Sequence, residues 1–153
     1  MALPPAASRP WGTPATVFDR LAGTWQLYRT IEGQAEMRGT ASFTALESGM
    51  LKYREEGRLR LADGNEFSAH KEYVFERAAS GFNVYFAETP LRLFHGITLA
   101  SDGRSLRGSA NHWCQPDTYE SQYVFREDGT FTVEHKVRGP HKDYVSVTSY
   151  SHS

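Results

Sequence analysis

Cysteine is almost missing from this chain: Cys114 is the only one in 153 residues. That excludes an internal disulfide and any cysteine-rich zinc or iron–sulfur cluster, and it suits a reducing compartment. Charge of one sign is missing as well. With 17 basic residues against 18 acidic ones the net charge is −1 and the pI about 6.6, so there is no broad field to hold nucleic acid or an anionic membrane, and neither is an expected partner. No apolar run approaches the roughly 18 residues of a membrane span. The opening MALPPAASRPW lacks the basic and apolar regions of a signal peptide, and a cytoplasmic address is the expectation. There is no glycine-rich phosphate loop, no serine nucleophile elbow and no pair of catalytic carboxylates.

What is present suits one domain. Residues 1–14 hold Pro4, Pro5, Pro10 and Pro14 among small residues, a composition that cannot bury enough apolar surface to offset chain entropy. They are expected to form a flexible lead-in, with Trp11 a candidate to dock on the body. Residues 15–153 form the folded domain. Thr16–Ala22 (TVFDRLA) is the one stretch with helical character.

Beyond it, turn signals recur at Glu32-Gly33, Ser48-Gly49, Asp63-Gly64-Asn65, Ser80-Gly81, Asp102-Gly103, Asp128-Gly129 and Gly139-Pro140. The segments between them are rich in Val, Tyr, Phe, Thr and Trp, and they alternate. In FSAHKEYVF the odd positions are Phe67, Ala69, Lys71, Tyr73 and Phe75; in FTVEHKV they are Phe131, Val133, His135 and Val137. One face is buried and the other wet. Hairpin-connected strands of this kind avoid exposed edges by closing on themselves. The expected fold is all-β, an antiparallel up-and-down barrel of eight to ten strands with a short N-terminal helical turn.

Leu21-Ala22-Gly23-Thr24-Trp25, at the mouth of the first strand, resembles the Gly-x-Trp opening of the calycins, the lipocalin and fatty-acid-binding-protein barrels. The resemblance implies that Trp25 closes one barrel end and that a basic residue of a late strand lies across it, a place for which this chain offers His152. Further along stand Tyr53-Arg54-Glu55-Glu56-Gly57, Phe94-His95, His112-Trp113-Cys114 with Asp117 and Tyr119, and Gly139-Pro140-His141-Lys142-Asp143-Tyr144. In that order they are similar to a bacterial calycin-like family, the domain of unknown function 6314, over residues 16–152. The resemblance implies a fold and a motif set, and no activity.

The chemistry lies in polar residues on faces that should be apolar. By strand phase the inward set includes Arg29; Tyr53 and Glu55; Phe67, Lys71 and Tyr73; Leu91, Leu93 and His95; His112 and Cys114; Tyr119 and Tyr123; and His135. An unpaired buried charge costs several kcal/mol or more, so each must pair, neutralise, or meet water or a guest. Arg29, Tyr53, Lys71, Tyr73, His112, Cys114, Tyr119, Tyr123 and His135 are therefore candidate ligand contacts for a polar aromatic or anionic metabolite. Arg29 and Glu55 could equally be a structural ion pair, with Lys71 reaching out to solvent. The alternative is a small enzyme of isomerase or cyclase type, in which His95 or His112, helped by Glu55 or Asp117, moves protons. Cys114 beside His112 fits a nucleophile or a small core residue. No metal site is expected from the histidine spacing, nor a resident cofactor; if a haem were held, His135 or His152 would be its ligand. A partner-binding module would need apolar residues on the outward faces, where Thr, Glu, Lys and Gln dominate. The expected partner is a small molecule, bound by a monomer or homodimer.

Overall fold

The computed structural model describes residues 10–152; residues 1–9 of the expected lead-in lie outside the described residues. The helix is α1 (Val17–Leu21), and the strands are β1 (Gly23–Ile31), β2 (Ala35–Glu47), β3 (Met50–Leu61), β4 (Glu66–Ala78), β5 (Gly81–Phe86), β6 (Arg92–Thr98), β7 (Ala100–Ser101), β8 (Ser105–Cys114), β9 (Asp117–Arg126), β10 (Phe131–Arg138) and β11 (Asp143–Ser151). They form one antiparallel sheet in the order β6-β5-β4-β3-β2-β1-β11-β10-β9-β8-β7. The first and last strands pair, Arg29 opposite Thr148, and β6 packs beside β8 without a ladder, so the barrel is nearly closed. Among the described residues no helix is long and apolar enough to cross a membrane.

The strand count is eleven, where eight to ten were expected. The excess arises at Leu99, whose side chain is buried and whose amide still donates to the Ser80 carbonyl at 2.8 Å, in line with the β5–β6 register, before the next residues pair with β8 instead. This change of partner separates two residues, Ala100 and Ser101, as a short strand on β8. The tight turns follow the sequence signals. Gly64 and Gly129 adopt φ of 91° and 90°, and the carboxylates of Asp63 and Asp128 accept from the amides of Asn65 and Thr130 at 2.9 Å each.

A second correction concerns β6. Leu91 and Leu93 were expected inside but are 41% and 48% exposed, while Phe94 and His95 are both buried. The register explains it: Val84 faces His95, yet its neighbour Tyr85 faces Leu93, leaving Phe94 as an extra residue. A bulge of this kind reverses the strand's phase, and every side chain before it changes face. Phe67 also lies open, at 53% exposure. Elsewhere the alternation holds, with Trp25, Leu27, Leu51, Tyr53, Glu55, Phe125, Phe131 and Val137 buried.

One end of the barrel is plugged. Trp11 stacks on Trp25 with centroids 5.6 Å apart, α1 buries Val17, Phe18 and Leu21, and Trp25 Nε1 donates to the Leu21 carbonyl at 2.9 Å. His152 also stacks on this tryptophan, 3.9 Å from the Trp25 ring centre.

Candidate functional site

Above the plug the lumen holds a cavity of about 340 Å³, lined by Arg29, Glu55, Tyr73, Phe94, His135 and Thr148 among others. Its polar base is assembled across three strands. Arg29 on β1 reaches over β2 to Glu55 on β3: Met37, buried opposite Arg29, lies 3.7 Å from Nη1 through its sulfur, and beyond it the inward residues are Gly39 and Ala41, too small to block the path. The guanidinium binds the carboxylate in two places, Nη1 to Oε2 at 2.7 Å and Nη2 to Oε1 at 2.8 Å, while Nε donates to Thr148 Oγ1 at 2.7 Å. Tyr53, two residues from Glu55 and so on the same face, donates to Oε1 at 2.7 Å. Its own oxygen stands 2.7 Å from the Tyr150 hydroxyl. Because the Tyr53 proton goes to Glu55, Tyr150 is the donor in that pair.

Electrostatics follow from this wiring. Burial pushes the Glu55 carboxyl up, but the hydrogen bonds and charge of Arg29 outweigh it and hold the group below the usual carboxylate range. Burial also opposes the Arg29 charge, and Glu55 more than restores it. Tyr53, Tyr73 and Tyr150 are raised, chiefly by burial, and stay neutral. The base is thus a satisfied ion pair with no net charge.

Three imidazoles flank Phe94. His95 Nε2 meets the Tyr123 hydroxyl at 2.8 Å, and burial, followed by His135 and His112, lowers its pKa to about 3. His135 Nδ1 meets Ser121 Oγ at 2.7 Å, and burial, then Lys71 and Arg29, lowers it to about 4. His112 is lowered too, by burial and Arg92. All three are neutral at pH 7. Buried His95 Nδ1 and His112 Nε2 have no hydrogen-bond partner among the described residues.

Of the ligand contacts expected from sequence, Arg29, Tyr53, Lys71, Tyr73, Cys114, Tyr119, Tyr123 and His135 line the cavity, as does Glu55; His112 and His95 do not. His95 stays buried opposite Val84, behind Tyr123, whose hydroxyl it meets and which itself lines the cavity. Asp117, considered as an acid/base helper of His112, instead faces Lys142 Nζ at 3.4 Å. His152, named with His135 for a haem, sits on Trp25 at the plugged end, whereas His135 lines the cavity. Among the described residues no group of three or more His, Cys, Asp or Glu side chains is placed to hold a metal. Sequence reasoning missed Phe86, Phe94 and Arg92, and on β11 Tyr144, Ser146, Thr148 and Tyr150. The signal on β11 was a period of two among polar residues, which apolar phasing passes over.

A family of unknown function, DUF6314, matches residues 21–152. No protein of curated function matches. Among solved structures, a redesigned β barrel, mFAP1, bound to DFHBI is similar at 13% identity and TM-score 0.41, covering 86% of this chain and 94% of that one. A de novo designed fluorescence-activating β barrel is similar at 13% identity and TM-score 0.40, covering 86% of this chain and 93% of that one.

Proposed function

We propose, for a chain that belongs to the DUF6314 family of unknown function, that the barrel binds one small polar aromatic or anionic metabolite in its lumen. The observation that carries this reading is the cavity of about 340 Å³, which persists although aromatic rings plug the end beneath it. A space of that size above a fully satisfied polar base is a preformed concave site with mixed walls. Arg29, Tyr53, Lys71, Tyr73, Tyr119, Tyr123 and His135 are its polar contacts, with Cys114 at its wall.

Binding is favoured over proton-transfer catalysis by what holds the imidazoles. His95 and His135 are held by hydroxyls of Tyr123 and Ser121, and Glu55 is engaged by Arg29 and Tyr53. His95 and His112 each keep a nitrogen without a partner among the described residues but do not line the cavity, and a general base at neutral pH needs access to substrate as well as a free pair. The test is a thermal-shift screen of metabolites on the full chain and on Ser146→Phe, which fills the lumen from β11. Compounds that stabilise the wild-type protein should lose their shift in the filled variant. If no compound shifts either protein, or if shifts persist undiminished in Ser146→Phe, lumen binding is refuted.

A further inference from the structure

Around the cavity, groups that can only accept and groups that can only donate are unequally engaged. On the acceptor side, both Glu55 oxygens already receive Arg29, Oε1 also receives Tyr53, and Thr148 Oγ1 receives Arg29 Nε. Hydroxyls such as those of Tyr73, Tyr144 and Ser146 also line the cavity and can donate or accept, but among the groups that can only donate two are left over. Lys71, exposed to solvent and opposite Glu55 in the β3–β4 register, lines the cavity and makes no hydrogen bond or ion pair among the described residues; its ammonium stands over the Tyr73 ring, 5.7 Å from Nζ to centroid. The second is His135. Ser121 is buried and its hydroxyl makes no other hydrogen bond among the described residues, so it donates to Nδ1. That places the ring proton on Nε2, the nitrogen left for the cavity.

Charge is unequal in the same sense. Arg29 and Glu55 cancel. Glu72 and Arg92, also on the wall, are engaged by Lys52 at 3.1 Å and Glu88 at 2.9 Å. Among the described residues Lys71 is the cavity cation left without a counterion of its own. Around it stand flat surfaces, with Phe86 and Phe94 stacked 4.7 Å apart and Phe94 edge-on to Tyr119 at 5.7 Å.

We propose that the guest is a planar aromatic monocarboxylate, its anion held between Lys71 and His135 and its ring laid among Tyr73, Phe86, Phe94 and Tyr119. This deepens the lumen-binding reading and rests on it. One cation and one neutral donor match a single negative charge, which a carboxylate supplies and a phosphate dianion exceeds. A volume of about 340 Å³ corresponds to about eleven waters at about 30 Å³ each, which suits one or two fused rings and not a long acyl chain.

The experiment titrates the full chain by calorimetry with three probes of one shape: 2-naphthoate, 2-naphthamide and 2-naphthylmethylammonium. The expected order is naphthoate over naphthamide by about tenfold, with the cation weakest. Lys71→Gln should bring naphthoate down to the naphthamide level and Lys71→Arg should keep the preference. Lys136→Gln, an exposed lysine on the outer face, should leave all three affinities as they are. If naphthamide equals naphthoate in the wild-type protein, or if Lys71→Gln and Lys136→Gln act alike, the carboxylate assignment is overturned while lumen binding stands. If none of the three probes binds at millimolar concentration, the aromatic-carboxylate assignment is overturned, while the lumen-binding reading stands or falls by the Ser146→Phe screen.

Discussion

Substituting Glu55 by Gln tests the physics of the lumen most directly. The change keeps shape and leaves an acceptor oxygen for Tyr53, but it removes the charge that compensates Arg29. The Glu55 side chain is 3% exposed and that of Arg29 16%, so solvent screening is weak. Breaking such a pair by removing one partner costs about 3–5 kcal/mol, because the surviving charge stays buried. At about 2–4 °C per kcal/mol for a domain of this size, the melting temperature should drop by roughly 6–20 °C. Arg29→Met alone should cost a similar amount. The double variant Arg29→Met/Glu55→Gln should cost clearly less than the two single losses together, since no uncompensated charge remains. Urea unfolding followed by tryptophan fluorescence measures all three at pH 7. The cycle also has a pH signature. The folded-state pKa of Glu55 is lowered, so its contribution is present above the unfolded value of about 4.3 and is lost as pH falls through the folded one. The gap between wild type and Glu55→Gln should close in acid. A loss below about 1 kcal/mol for Glu55→Gln, or strict additivity in the double variant, would refute a dry ion pair and mean that water screens it.

The imidazoles act on stability in the same direction for a different reason. His95 and His135 have folded pKa values of about 3 and about 4 against 6.5, so the unfolded chain takes protons first. Stability is complete above pH 6.5 and declines below it by about 2 kcal/mol per histidine at pH 5; urea midpoints from pH 7.5 to 4.5 should show this, and His95→Gln should flatten the slope. Trp11→Ala removes a ring stacked on Trp25 and packed edge-on to Phe125 and Phe131, and should cost about 3–5 kcal/mol in the same assay. An unaltered midpoint would show that the segment before α1 is not part of the core. Gly39→Ala places a methyl group against the Glu56 carbonyl and the Gly57 backbone, so it should cost about 1–3 kcal/mol, whereas Gly33→Ala, with open space around its Cβ, should meet only the strain of its φ of 70°.

Much of this barrel was legible in the chain itself because strand alternation is a local property. Each residue's phase follows from its neighbours two positions away, so Arg29, Tyr53, Glu55, Lys71 and His135 could be placed on the inner face without coordinates. Turn glycines after Asp63 and Asp128 were equally local. The reversal at Phe94 was not, because a bulge belongs to a pair of strands: it is defined by Val84 and Tyr85 on β5 facing His95 and Leu93, and nothing within LRLFHGIT announces it. Nor could sequence separate Arg29–Glu55 as ion pair from Arg29 as ligand contact. That outcome depends on β2 lying between β1 and β3 with Gly39 and Ala41 leaving room beside Met37 on its inner face, and on Thr148 and Tyr150 arriving from the far end of the chain. Which side chains are buried together, and that space is left over among them, are properties of closure. Periodicity sets the face a residue turns to, whereas the curvature of the closed sheet sets how far apart opposing faces stand and hence whether rings meet or leave a cavity.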